Sequence, residues 1–96
     1  MLQTHRSYRG MVVAPHHLAA RTGLRVLEDG GNAIEAMVAA AASIAVEYPH
    51  MNGMGGDGFW LISEPGKSPV GIDASGVAAK GATPSFYEGF EAIPSR

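Results

Sequence analysis

A chain of 96 residues holds one small domain or a piece of a larger one, and 46% apolar against 17% charged residues leaves little polar surface for a domain standing alone. The formal net charge of −2 offers no electrostatic footprint for nucleic acid or for an anionic membrane surface. The absence of cysteine excludes disulfides, thiolate zinc sites and cysteine nucleophiles.

Residues 1–9 read as a polar tail without periodicity, and residues 10–96 as one continuous segment. His5, Arg6 and Arg9 precede Met11 with no apolar stretch among them, so no signal peptide is legible. A cytoplasmic location is therefore expected, with the periplasm as the alternative. Gly10–Ala14, GMVVA, is a short β-branched run closed by Pro15 and reads as a buried strand. Pro15 suits the first position of a helix, where its missing N–H costs nothing. In that helix Leu18, Ala19, Thr22, Val26 and Leu27 share one side, and Arg21, Arg25, Glu28 and Asp29 lie towards the other. Gly30-Gly31 ends it by supplying a residue able to take positive φ.

Asn32 caps a second helix, and Glu35 stands where a capping box requires it. From Ala33 to Val46 only Glu35 and Ser43 are polar, so this helix is expected to be buried on all sides and Ser43 to serve packing, bonding to a preceding carbonyl. A helix of about 14 residues reaches about 21 Å, short of a bilayer core of about 30 Å. Pro49 stops it. Gly58–Glu64 and Pro69–Ser75 then read as two strands joined at Pro65-Gly66, a hairpin over 58–75, and a short helix is expected near Pro84–Phe90.

Gly53, Gly55 and Gly58 spell G-x-G-x-x-G. A dinucleotide fingerprint needs strand, glycines, then helix, so that pyrophosphate meets a helix N-terminus. Here the order is helix, glycines, strand, and no Lys-Ser or Lys-Thr follows as in a Walker loop. Nucleotide binding therefore fails, and the glycines are expected to allow unusual backbone conformations and close backbone approach. A run of exposed N–H groups in the same loop could also form an anion-binding nest. Adjacent His16 and His17 on a helix would point about 100° apart, and His5 and His50 are isolated, so no metal site is expected and no cofactor is implied. Asp57 sits inside the glycine run, either as an Asx turn or to orient a reacting group. Asp73 and Ser75 lie at a strand end in DASG and remain candidate contacts, with a turn cap as the alternative for Asp73. Glu64 reads as a solvated strand end. Neither Ser43 nor Ser75 sits in G-x-S-x-G. The residues themselves supply no complete catalytic set.

The series GMVV-A, GGNA, the alanine-rich helix, P-x-x-x-G-x-GG-x-GF and the following I-D, over residues 10–83, resembles the N-terminal part of the gamma-glutamyltranspeptidase family. That resemblance implies an α+β, four-layer αββα N-terminal-nucleophile hydrolase fold, of which this chain is the first part. It also implies a zymogen several times longer that cleaves itself. The new N-terminal threonine of its small chain is the nucleophile and that threonine's amino group the base. The nucleophile would lie beyond Arg96, so no catalytic residue is expected here and these residues alone are expected to be inactive. The expected partners are the rest of the same precursor and a small amide.

The resemblance places the pocket contacts at Asp57, Asp73, Ser75 and Gly76. Where gamma-glutamyl enzymes run D-F-R-E-x-A-P, with the arginine gripping the substrate α-carboxylate, this chain reads Asp73-Ala74-Ser75-Gly76-Val77-Ala78-Ala79. Ser75 takes the arginine's place, Gly76 the acidic one's, and Asp57 stands where the family usually has glycine. A serine hydroxyl cannot replace a bidentate arginine. The expected substrate is thus a small amide such as oxamate. A true gamma-glutamyl transferase or glutathione hydrolase is the alternative enzyme, and a non-catalytic fragment the alternative of another class.

Overall fold

A computed structural model describes residues 3–92, an α+β arrangement of two α-helices, a two-stranded sheet and a 3-10 turn. Helix α1, His17–Glu28, begins one residue beyond its cap. His16, in extended backbone, accepts the Leu18 N–H at its Nδ1 (3.3 Å), so Pro15 precedes the helix rather than opening it. His16 is thus outside the helix, and its ring stacks on His17 at 4.7 Å between centroids instead of diverging by a helical step. The end of α1 follows from Gly30, whose φ of 93° favours a residue without Cβ. Its N–H bonds to the Leu27 carbonyl (3.1 Å) and the Gly31 N–H to the Val26 carbonyl (2.8 Å), a Schellman closure.

Helix α2, Ala33–Glu47, opens on the expected capping box. The Asn32 side chain accepts from Glu35 N (2.8 Å) and the Glu35 carboxylate from Asn32 N (2.9 Å), which satisfies two donors that a helix start otherwise leaves unmet. The helix stops at Tyr48 and Pro49. Asn52 Nδ2 donates to the Tyr48 carbonyl there (2.7 Å).

The two helices pack through small residues. Ala19, Gly23, Ala36 and Ala40 are the buried positions. An added Cβ on Gly23 would stand 3.0 Å from the Ala36 carbonyl oxygen and 2.9 Å from Val12 Cγ1, so the absence of a side chain there sets the helix separation. Ser43 does not bond back to its own helix. Its hydroxyl meets Thr22 Oγ1 at 3.1 Å across the seam, and Thr22 in turn donates to the Leu18 carbonyl (3.0 Å). Only one face of α2 is covered, and Val46 remains 74% exposed, so the all-round burial expected from its composition is not met within the described residues.

Gly10–Ala14 is not a strand. The segment runs without a ladder partner among the described residues, and Val13 is 75% exposed. A β-branched run needs a neighbouring strand to become one.

Strands β1, Gly58–Ile62, and β2, Val70–Ala74, form the antiparallel hairpin in a register from Gly58 opposite Ala74 to Ile62 opposite Val70. The turn is closed by Lys67 N to the Glu64 carbonyl (3.1 Å) and by a Lys67–Glu64 ion pair (2.9 Å). Trp60 lies opposite Ile72. Phe59 and Leu61, on the other face, are 71% and 81% exposed. A strand apolar on both faces has the composition of one covered on both. The extensive pairings are α1 with α2 and β1 with β2. The radius of gyration is 18.5 Å, against about 12.5 Å for a compact chain of this length.

Thr83 caps the 3-10 turn Pro84–Tyr87, shorter than the helix expected over Pro84–Phe90. Phe86, Tyr87 and Phe90 gather there, the first two edge to face at 4.9 Å.

Candidate functional site

The hairpin register decides which of the candidate residues meet. With Gly58 opposite Ala74, the next position outward sets Asp57 against Ser75. All four candidates gather at this open end, and all are exposed. The Asp73 carboxylate receives two bonds at one oxygen, from Ser75 Oγ (2.6 Å) and from Ser75 N (3.0 Å). The hydroxyl of Ser75 first, and its backbone N–H second, hold the Asp73 carboxyl below its ordinary value of 3.8, since both favour the charged form.

Asp57 makes no local Asx turn. Its Oδ1 accepts the Gly76 N–H at 2.6 Å, a bond across the mouth of the hairpin where the backbone ladder has ended. A Cβ on Gly76 would stand 3.2 Å from the same oxygen, tighter than ordinary contact. Reading Asp57 by itself misses this tie. A turn centred on Gly66 carries the signal, because it places positions 57 and 75 opposite one another.

The glycine loop behaves differently from the expectation of close backbone approach. A Cβ added at Gly53, Gly55 or Gly58 meets nothing within 4 Å, and of the three only Gly55 has positive φ (85°). The loop is an open lead into β1, and the order around it is helix, glycines, strand.

At the opposite end of the hairpin, an apolar cleft of about 460 Å³ lies between the start of α2 and residues 60–65. Its carboxylate, Glu64, is spent on Lys67. The chemistry-bearing groups are at the Asp57–Gly76 end, and the cleft is not near them. That end presents oxygens. Ser75 gives its proton to Asp73, so its remaining capacity is to accept, as is that of both carboxylates. Neither Asp57 nor Asp73 is in an ion pair among the described residues.

The chain is 59% identical over its whole length to the oxamate amidohydrolase proenzyme of Klebsiella pneumoniae, of which it covers 18%. A glutathione hydrolase-like YwrD proenzyme of Bacillus subtilis is 48% identical over 90% of the chain, which covers 17% of that protein. The crystal structure of Helicobacter pylori gamma-glutamyltranspeptidase superposes with a TM-score of 0.77 at 36% identity, over 84% of this chain and 23% of that one. The chain thus spans about a sixth of the length of these curated relatives. The helix pair and hairpin correspond to part of an N-terminal-nucleophile hydrolase fold. The family model of gamma-glutamyltranspeptidase matches residues 19–95, a span that holds all of α1 but its first two residues, the whole of α2, the glycine loop and the whole hairpin, and the chain belongs to that family.

Proposed function

We propose that residues 10–96 are the N-terminal segment of an autoprocessed amidohydrolase that cleaves a small primary amide of the oxamate type. Its threonine nucleophile is contributed by a part of the precursor outside this chain. Asp73, Ser75 and Gly76, with Asp57 behind them, form one wall of the substrate pocket. The remainder of the precursor covers the open faces of α2 and β1. In the reaction the threonine hydroxyl adds to the amide carbonyl, its proton passes through the α-amino group to the departing ammonia, and water then releases the acid from the acyl-enzyme.

The observation that carries this reading is Ser75. Gamma-glutamyl recognition of the kind the family uses at this position needs a guanidinium facing an α-carboxylate. Here a hydroxyl stands instead, with its proton engaged by Asp73. An edge of acceptors suits the N–H₂ of a primary amide, and the carboxylate of oxamate is left to groups outside residues 3–92. The name of the Klebsiella pneumoniae relative supports the same substrate class.

The test compares ammonia release from oxamate with hydrolysis of a gamma-glutamyl anilide by the full-length protein. Oxamate is expected to be the better substrate by kcat/KM. Ser75→Arg is expected to gain anilide hydrolysis while losing oxamate. Activity on the anilide alone in the unaltered protein sinks the proposal in favour of a glutathione hydrolase.

A further inference from the structure

The bond between Asp57 and Gly76 joins two segments 19 residues apart at the point where the β1–β2 ladder stops. Beyond the Gly58–Ala74 pair no backbone partner among the described residues holds β2, so its continuation through Ser75 and Gly76 would fray as a hairpin end does. The Asp57 carboxylate replaces the missing acceptor. It fixes Gly76 N at 2.6 Å, and with it the peptide linking Gly76 to Ser75. Ser75 is then held from both sides, by Asp57 through its C-terminal peptide and by Asp73 through its own N–H and hydroxyl.

The same contact restricts position 76. A Cβ there would sit 3.2 Å from Asp57 Oδ1, so the carboxylate and a side chain at 76 compete for one space. Glycine at 76 and aspartate at 57 are therefore one device, not two independent departures. From this geometry we propose that Asp57 is a positioning residue: it sets the placement of Ser75 through the Gly76 backbone, without touching substrate, and in doing so keeps position 76 free of a side chain. The proposal rests on the pocket assignment above for its effect on catalysis, and on the hydrogen bond alone for its effect on structure.

The test uses the full-length protein with Asp57→Ala, Asp57→Asn, Gly76→Ala and the double variant Asp57→Ala/Gly76→Ala. Hydrogen exchange of the peptide spanning Ser75 and Gly76 is expected to speed by about fivefold in Asp57→Ala, the loss of one exposed charge-assisted bond. KM for the amide should rise by about fivefold with kcat held within about twofold, because the acyl-transfer groups are untouched. Asp57→Asn keeps an acceptor oxygen and should recover most of both losses. Gly76→Ala should speed that exchange when Asp57 is present and add little to it in the Asp57→Ala background, so that exchange in the double variant is no faster than in Asp57→Ala. Unchanged exchange in Asp57→Ala, or exchange effects that multiply in the double variant, overturn the proposal. Should the protein cleave the gamma-glutamyl anilide and not oxamate, the substrate reading fails, but the same KM split is read on the anilide. Should neither be cleaved, exchange and the 57–76 coupling decide alone.

Discussion

Gly23→Ala is the sharpest probe of how the helix pair is built. Two effects of opposite sign meet there. In an exposed helix interior the substitution would stabilise by about 1 kcal/mol, because alanine gives up less backbone freedom than glycine. At the α1–α2 crossing the new Cβ would lie 2.9 Å from Val12 Cγ1, 3.0 Å from the Ala36 carbonyl oxygen and 3.4 Å from Ala40 Cβ. Val12 can rotate away. The Ala36 oxygen belongs to the backbone of α2 and moves only if the whole helix does. Separating the helices by even a few tenths of an ångström uncovers Ala19, Ala36 and Ala40, the buried positions of the seam. Overpacking costs about 1–3 kcal/mol, and a clash with a backbone atom that cannot give way falls in the upper part of that range, about 2–3 kcal/mol, so subtracting the propensity gain leaves a net loss of about 1–2 kcal/mol. The assay is hydrogen exchange of the α1 and α2 amides in the full-length protein, where that loss appears as exchange faster by about five- to thirtyfold. Equal or greater protection in Gly23→Ala would show that propensity governs the site and that the crossing is looser than argued.

Two further outcomes follow from the hydrogen bonds. Thr22→Val removes the acceptor that Ser43 meets across the seam and should cost about 1 kcal/mol by the same exchange measurement, whereas Thr22→Val/Ser43→Ala, with neither hydroxyl left unmatched, should cost less than the single change. A double variant worse than Thr22→Val would refute that pairing. Asp73 has a carboxyl held below its ordinary value, so its bonds to Ser75 are fully present above 3.8 and are lost as pH falls through the lowered folded-state value. In Ser75→Ala, with the larger of the two causes gone, a carboxyl titration followed by NMR should show Asp73 moving up towards 3.8; an unmoved titration would mean that the hydroxyl is not its partner.

Local order is legible in the sequence at the start of α2, at the end of α1 and at the hairpin turn, though not at the His16 cap of α1. Asn32 and Glu35 are three positions apart, and a capping box needs nothing more. Gly30-Gly31 closes α1 for the same reason, and Pro65-Gly66 makes the hairpin turn irrespective of the rest of the molecule. The order of helix, glycines and strand is likewise enough to dismiss the dinucleotide fingerprint. The chemistry-bearing residues at the Asp57–Gly76 end of the hairpin are identifiable one by one, and the resemblance groups them together.

Relations across the chain are not legible in that way. GMVVA has the composition of a strand, but strand formation depends on a partner, and Gly10–Ala14 has none among the described residues. Ser43 reads as bonding within its helix because the sequence does not state which side chain faces it, and the answer, Thr22, lies in α1. Gly23 is, in the sequence, one more residue of an amphipathic helix, although its missing side chain sets the crossing. Asp57 shows the division most plainly. Its sequence neighbours are glycines and suggest a turn, whereas the partner that defines it, the Gly76 N–H, is brought to 2.6 Å only by the pairing of β1 with β2. Sequence by itself determined the cap of α2, the close of α1, the hairpin turn and the candidate side chains, because those depend on residues within one or two turns of chain. Tertiary structure decided which of them touch, because hydrogen bonds and steric exclusion act over about 3 Å of space, whatever the separation along the chain.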